Sequence, residues 1–154
     1  MARLAAVLVI HGPNLNLLGR REPGVYGTAT LAEIDARLRH LGAEIGVPVT
    51  CVQFNGEGDI VTAIQGAEGR YQGIVINPAG YTHTSVAIRD ALAAVGELGV
   101  PAVEVHLSQP AARESFRHRS LVAPVCRGSV SGFGAQGYLL ALRGLAAQIG
   151  GGGA

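Results

Sequence analysis

Short aliphatic runs alternate along this chain with longer stretches of helical periodicity, and this alternation most constrains the fold. The aliphatic runs are rich in β-branched residues, which favour strands because they pack well on a pleated surface. The predicted strands are Leu4–Ile10, Pro48–Phe54, Gly73–Asn77, Ala102–His106 and Val122–Val125. Continuous apolar character in Ala5–Ile10 and Ile74–Ile76 indicates burial on both faces, as in a parallel sheet.

Between these runs, apolar residues recur at helical spacing. The predicted helices are Leu31–Ile45, Asp59–Glu68, Ser85–Leu98 and Ala135–Ile149, with a short one at Ala111–Arg117. Thr30 and Glu33 have the spacing of a capping box at the start of the first helix. Strands alternating with helices predict an α/β fold, a doubly wound three-layer sandwich of flavodoxin type. We expect a five-stranded parallel sheet of order 2-1-3-4-5 in a single domain over residues 1–149, and a flexible Gly-rich tail at 150–154.

The basic residues restrict the chemistry, because all 12 of them are arginine. A Schiff-base mechanism and a Walker-type phosphate loop both need a lysine, so the composition excludes both. The arginine fork remains for anion binding, and its geometry suits a carboxylate.

Charge and hydropathy bear on partners and location. A net charge of +1 gives no general attraction to nucleic acid or to an anionic membrane. A membrane-spanning helix needs about 18–20 consecutive apolar residues, and no stretch of the sequence approaches that length. The two cysteines, Cys51 and Cys126, lie in apolar runs, and we expect them to be reduced and buried in a cytoplasmic protein. With 48% hydrophobic and 15% charged residues, apolar surface between subunits of a homo-oligomer is expected.

Polar side chains follow three of the predicted strands, where each strand ends. The segments are His11–Asn14, Asn77–His83 and His106–Ser108. In an open α/β sheet, ligands bind beyond the carboxyl ends of the strands. The sequence therefore predicts a site at this edge.

The polar loop at 19–27 carries Arg21 and Tyr26. Tyrosine ionises near pH ~10, and an adjacent guanidinium favours the phenolate, so the pair is a candidate base. Taken by itself, the composition of this loop favours a mobile surface segment with solvated arginines over a catalytic role.

Glu104 and His106 lie two residues apart on a predicted strand, so their side chains share a face. A carboxylate that holds one imidazole nitrogen orients the other for general acid–base catalysis. The same pair fits a structural ion pair equally well. His83 precedes a predicted helix, where Thr84 or Ser85 serves as the N-cap, and it is a candidate for binding hydroxyls or a carboxylate.

Two other signals are weaker. The five histidines lack the spacing of a metal motif, so no metal is expected. Residues 132–137 match GxGxxG, but the last acidic residue is Glu114 and no further strand follows, so we interpret them as close packing of the last helix and expect no cofactor.

Taken in order, several motifs resemble the type II 3-dehydroquinate dehydratases. They are Gly12–Gly19, Arg21-Glu22-Pro23-x-x-Tyr26-Gly27, Asn77–Ser85, Glu104–Ser108, Arg113-Glu114-x-Phe116-Arg117 and Gly137-Tyr138-x-Leu140-Ala141-Leu142. The likeness runs in register over about residues 7–145. It implies dehydration of 3-dehydroquinate to 3-dehydroshikimate through an enolate, without a Schiff base.

The resemblance also implies roles for individual residues. Tyr26 would be the base, with Arg21 supporting its phenolate. Asn14 would position a water that stabilises the enolate oxygen. His106, oriented by Glu104, would protonate the departing hydroxyl.

Further residues would bind the substrate, and the family's assembly would involve one more. The substrate-binding set is Asn77, His83, Leu107, Ser108 and Arg117, with Arg113 on the lid side of the pocket. Asp90 would reach the site of a neighbouring subunit in a trimer, and four trimers would form a dodecamer. The chain departs from the family pattern at Phe54, Arg119, Leu121 and His11.

Two other functions stay open on the sequence. One is a non-catalytic flavodoxin-like module that binds a ligand or a flavin. The other is an enzyme of the same fold acting on a different polyhydroxylated cyclic acid.

Overall fold

The computed structural model describes residues 5–149 and contains the predicted five-stranded parallel sheet. The strands are β1 (Val7–His11), β2 (Val49–Gln53), β3 (Gly73–Asn77), β4 (Ala102–His106) and β5 (Gly128–Ser131), in the order β2-β1-β3-β4-β5. The helices are α1 (Pro23–Tyr26), α2 (Leu31–Ile45), α3 (Glu57–Gln65), α4 (Val86–Glu97) and α5 (Gln136–Ile149). Leu4 and the predicted tail lie outside the described residues.

Helices cover both faces of the sheet. On β1, Val7 and Val9 pack with α2 and α5, whereas Leu8 and Ile10 pack with α3 and α4. This two-sided burial is the reason why β1 and β3 have no polar alternation. Each large aliphatic side chain buried in this way contributes about 1.5–3 kcal/mol of transfer free energy.

The capping box at the start of α2 is confirmed. The Thr30 hydroxyl accepts a hydrogen bond from the Glu33 amide at 3.2 Å, and the Glu33 carboxylate accepts one from the Thr30 amide at 3.4 Å. Two amides that lack partners within the helix are thereby satisfied. The cap fixes where α2 begins, and α2 carries Asp35 toward the carboxyl edge of β1.

The prediction of the fifth strand at Val122–Val125 was wrong. Residues Ala123–Val125 form a 3-10 turn, and the strand is Gly128–Ser131. Val122 is fully buried, so its apolar run signals core packing, while Pro124 lacks the amide that a sheet ladder needs. The true β5 is an edge strand with small polar residues and carries little apolar signal.

Other elements also have bounds that differ from the predicted ones. The predicted short helix at Ala111–Arg117 is two 3-10 turns, Pro110–Ala112 and Ser115–Arg117, separated by Arg113 and Glu114, neither of which has helical dihedral angles. Helix α3 begins two residues earlier than predicted and ends at Gln65. Within residues 5–149, no helix has the length and hydropathy needed to span a membrane.

Candidate active site

A cleft opens at the carboxyl ends of β1, β3 and β4, with the segment containing α1 on one side. Its empty volume is about 640 Å³, including the solvent-open mouth, and polar and charged side chains make up most of its lining. The site is therefore at the edge of the sheet that the sequence predicts.

Tyr26 ends the single turn of α1 and projects its ring into the cleft. Two guanidinium groups lie over this ring, with the Cζ of Arg21 4.5 Å and the Cζ of Arg113 5.2 Å from its centre. A negative charge that develops on the phenol is therefore formed beside two cations. Arg113 is further held by donating a hydrogen bond to the Ser108 hydroxyl at 3.2 Å.

His106 closes another part of the cleft, and the carboxylate behind it is almost fully buried. Nε2 of His106 lies 2.6 Å from Oε2 of Glu104, which is 2% exposed. The Thr82 hydroxyl donates to the same carboxylate oxygen, and the Ser120 hydroxyl lies 3.0 and 3.1 Å from the two oxygens. Because Nε2 faces Glu104, Nδ1 is the ring nitrogen left to face a ligand.

The protonation state of Glu104 follows from these contacts. Burial raises the pKa of the Glu104 carboxyl. The hydrogen bond and charge of His106 and the hydrogen bonds from Thr82 and Ser120 lower it by more, so the pKa of Glu104 lies below its ordinary value. Glu104 is consequently an ionised carboxylate at neutral pH. It offsets the positive charge of the imidazole when both ring nitrogens carry protons.

The ends of β1 and β3 form the floor of the cleft, where the backbone is unusually close. The Gly12 amide donates to the Asn77 carbonyl at 2.7 Å, and a Cβ on Gly12 would lie 2.7 Å from the Pro78 carbonyl carbon. Asn14 and Ala79 have φ of 70° and 54°, in the left-handed region. Such strained residues persist where surrounding contacts determine the backbone, and they are common in functional sites.

The opposite wall carries positive and hydrogen-bonding groups. Nδ1 of His83 lies 2.8 Å from the backbone oxygen of Arg119, and its ring meets Phe116 edge-on. Arg117 donates from Nε to the Glu114 carboxylate at 3.2 Å. The lining of the cleft therefore carries three guanidinium groups, those of Arg21, Arg113 and Arg117, which suit an anionic ligand.

Comparison with known proteins identifies the family. The family model for dehydroquinase class II matches residues 5–146, which is nearly the whole chain. The chain belongs to the class II dehydroquinases. Two similar relatives are both named 3-dehydroquinate dehydratase: one from Desulforudis audaxviator, 59% identical over 89% of each chain, and one from Synechocystis, 57% identical over 98% of this chain and 97% of the other.

Solved structures agree with the family. The crystal structure of a type II dehydroquinase from Butyrivibrio crossotus superposes with a TM-score of 0.89 at 43% identity, covering 92% of this chain and 97% of the other. The flavodoxin-type fold and the family resemblance predicted from the sequence are both confirmed.

In this class II dehydroquinase, most of the predicted site residues meet in one cleft. Those that line it are Asn14, Arg21, Tyr26, Asn77, His83, His106, Leu107, Ser108, Arg113 and Arg117. Glu104 lies behind His106, as its predicted orienting role requires. Asp90 lies apart from them on α4, exposed and paired with Arg89 at 3.1 Å.

Sequence reasoning missed the supports of the site. Thr82 and Ser120 donate hydrogen bonds to the Glu104 carboxylate, and the Tyr138 hydroxyl accepts one from the Asn77 amide. None of them has a distinctive spacing relative to its partner, since Ser120 and Tyr138 come from separate loops and helices. His11, noted in the sequence as a departure from the family pattern, proves to be fully buried beside Tyr138.

Two further predictions concern cysteines and metals. Cys51 and Cys126 are free thiols, and they are half-buried where the sequence predicted buried side chains. Among residues 5–149, His11, Asp35 and Cys51 place potential metal-ligand atoms within 4.8 Å of one another. The two ring nitrogens of His11 are already hydrogen-bonded to Tyr138 and Asp35. A metal ion at His11 would have to displace one of these hydrogen bonds.

Proposed function

We propose that this class II dehydroquinase is a hydro-lyase that removes water from 3-dehydroquinate to give 3-dehydroshikimate. The observation that carries the proposal is the presence of a phenol stacked with two guanidiniums and a carboxylate-backed imidazole in the same cleft. One group is suited to take a proton and the other to give one. Elimination of water from a β-hydroxy ketone needs both a base and an acid. The names of the related proteins indicate that the ketone is 3-dehydroquinate.

The first step is removal of a proton from the carbon next to the ketone. The Tyr26 phenolate oxygen takes the proton, the C–H bond breaks, and its electron pair forms the enolate. Arg21 and Arg113 stabilise the phenolate before transfer. Asn14, which lines the cleft at the end of β1, positions a water that donates to the enolate oxygen.

The second step is loss of the hydroxyl. The enolate electrons form the new double bond, the C–O bond breaks, and Nδ1 of His106 donates the proton that converts the leaving hydroxyl into water. Nε2 remains bonded to Glu104 throughout. At the end Tyr26 holds a proton and His106 lacks one, so exchange with solvent resets the site. The route uses no cofactor and no lysine.

Substrate binding uses the remaining cleft residues. We assign Arg117, His83 and Ser108 to the carboxylate and hydroxyls, with Asn77 and the backbone at Leu107 completing the contacts. Residues 20–27 act as a lid that excludes water after binding. Gly19, just before that segment, and Gly27, its last residue, have φ of 87° and 84°, and we assign them as its hinges.

We also propose that residues 1–149 are one catalytic domain of a cytoplasmic dodecamer built from four trimers. Asp90 then reaches a neighbouring subunit's cleft, which fits its position on α4 outside its own cleft. Twelve copies of a 15.8 kDa chain have a mass of about 190 kDa, to be measured by analytical ultracentrifugation. A monomer at assay concentrations contradicts this assembly and the role of Asp90, but it does not contradict the proposed reaction.

The reaction itself is tested by offering 3-dehydroquinate and following the absorbance of the conjugated enone product. We expect turnover that survives borohydride treatment in the presence of substrate, because no lysine is present to form a reducible imine. A protein that is colourless and active excludes the flavin-binding alternative. A yellow protein without turnover, or turnover abolished by borohydride, contradicts the proposal.

A further inference from the structure

A chain of buried hydrogen bonds runs behind the cleft, from β3 to α2. Nδ2 of Asn77 lies 3.1 Å from the Tyr138 hydroxyl, which lies 2.9 Å from Nδ1 of His11. Nε2 of His11 in turn lies 2.7 Å from Oδ1 of Asp35. Tyr138 and His11 are 0% exposed and Asn77 is 3% exposed, so water does not compete for these bonds. The chain connects a residue of the cleft to a carboxylate on a helix.

The direction of every bond in this chain is fixed by what each group is able to donate. The Ala79 amide donates to Oδ1 of Asn77 at 3.0 Å, which identifies the amide oxygen, so the Asn77 nitrogen must donate to Tyr138. The Tyr138 hydroxyl then donates to Nδ1 of His11. Nε2 of His11 carries the remaining proton and donates it to Asp35. One arrangement satisfies all four side chains.

Asp35 anchors the chain because it is ionised. Burial raises the pKa of its carboxyl, but the hydrogen bond from His11, a hydrogen bond from Cys51 and the charge of Arg39 outweigh burial and lower it. An ionised carboxylate accepts strongly from Nε2 of His11. This selects the His11 tautomer whose Nδ1 is free to accept from Tyr138.

The consequence at the cleft is an Asn77 amide held from two sides. Its oxygen is held by the Ala79 amide and one of its N–H groups by Tyr138, which leaves the second N–H for a ligand. We propose that Tyr138, His11 and Asp35 are positioning residues that orient the Asn77 amide toward the substrate. The inference rests on the proposed role of Asn77 in binding 3-dehydroquinate.

The test is a double-mutant cycle between Tyr138→Phe and Asn77→Ala, measured as KM and kcat for 3-dehydroquinate. Tyr138→Phe removes one hydroxyl and keeps the ring, and we expect KM to rise about 3- to 10-fold, as for the loss of one hydrogen bond. We expect a smaller change in kcat, since Asn77 contacts the substrate before and during the reaction. In the Asn77→Ala background, Tyr138→Phe is expected to change KM less than about twofold.

Two further variants separate positioning from stability. Asp35→Ala, at the far end of the chain, is expected to raise KM in the same direction and to lose that effect in the Asn77→Ala background. Leu145→Ala removes a buried side chain from the same helix as Tyr138 but packs near Gly73, away from the cleft. It is expected to lower Tm and leave KM within about twofold.

The outcomes are distinct. An unchanged KM in Tyr138→Phe, or effects of Tyr138→Phe and Asn77→Ala that multiply in the double variant, overturns the positioning role. A normal KM in Asn77→Ala removes Asn77 from substrate binding and the inference with it. Absence of turnover in the unmodified protein instead contradicts the proposed function.

Discussion

The guanidinium of Arg21 stacks on the ring of Tyr26, with its Cζ 4.5 Å from the ring centre. Both residues come from one short segment, so the sequence places them near each other. No local pattern in the sequence predicts that Arg113, from the loop after β4, approaches the same ring. A proposed base with two nearby cations is a product of tertiary structure.

Removing the phenol hydroxyl should therefore abolish most turnover and leave the fold intact. We expect Tyr26→Phe to lower kcat by about 10²–10⁴, the usual contribution of a general base, with an unchanged Tm. Tyr71→Phe is the matched control, because Tyr71 is also stacked with an arginine, Arg70 at 5.5 Å, but lies outside the cleft. Equal activity of the two variants would contradict the assignment of Tyr26.

The Glu104 carboxylate should make stability depend on pH. Its pKa in the folded protein is below the ordinary 4.5, so its stabilising effect is present above that value and is lost as pH falls through the lowered pKa. We expect Glu104→Gln to cost about 2 kcal/mol at pH 7, the scale of hydrogen bonds to a charged group, and the Tm difference from wild type to shrink below pH ~4.5.

The measurement is Tm from pH 3 to pH 8 for both proteins. Glu97→Gln, at the exposed end of α4, is the control and should follow the wild-type curve. A Tm difference for Glu104→Gln that is constant across the range would show that the carboxylate's charge makes no contribution.

The floor of the cleft should not tolerate a side chain at position 12. A Cβ there would meet the Pro78 carbonyl at 2.7 Å, and backbone is unable to move aside without shifting β1 from β3. We expect Gly12→Ala to cost about 1–3 kcal/mol and to reduce kcat/KM. Gly58→Ala in α3, where nothing lies within 4 Å of a Cβ, should leave Tm equal or higher, and the same loss in both variants would refute the steric argument.

Both thiols should react slowly in the native protein. Burial raises the pKa of Cys51 and of Cys126 to about 12, against 9.0 for an ordinary thiol, and for Cys51 the Asp35 carboxylate adds to the effect. The thiolate fraction at neutral pH is then about a thousandfold smaller. Iodoacetamide labelling followed by intact mass should be slow when folded and fast in urea; equal rates would disprove the pKa shift.

Local sequence patterns predict most of the architecture and several members of the cleft. Two-sided burial leaves uninterrupted aliphatic runs at β1 and β3, helical spacing defines α2, and the rule that ligands lie beyond the carboxyl ends of parallel strands selects Asn14, Asn77 and His106. These signals are local, because each depends on residues within a single element. They fail where an element is exposed and polar, as in β5, or where buried residues form a turn, as after Val122.

The groups that support the site are brought together only when the chain is packed. Thr82 and Ser120 meet at Glu104, and Tyr138 joins Asn77 to His11, across separations of up to 127 residues in the chain. Hydrogen bonds of this kind depend on the distance between side chains after packing, and no local periodicity encodes that distance. A buried donor requires an acceptor in any fold, but the sequence does not say which residue will supply it until the helices lie on the sheet.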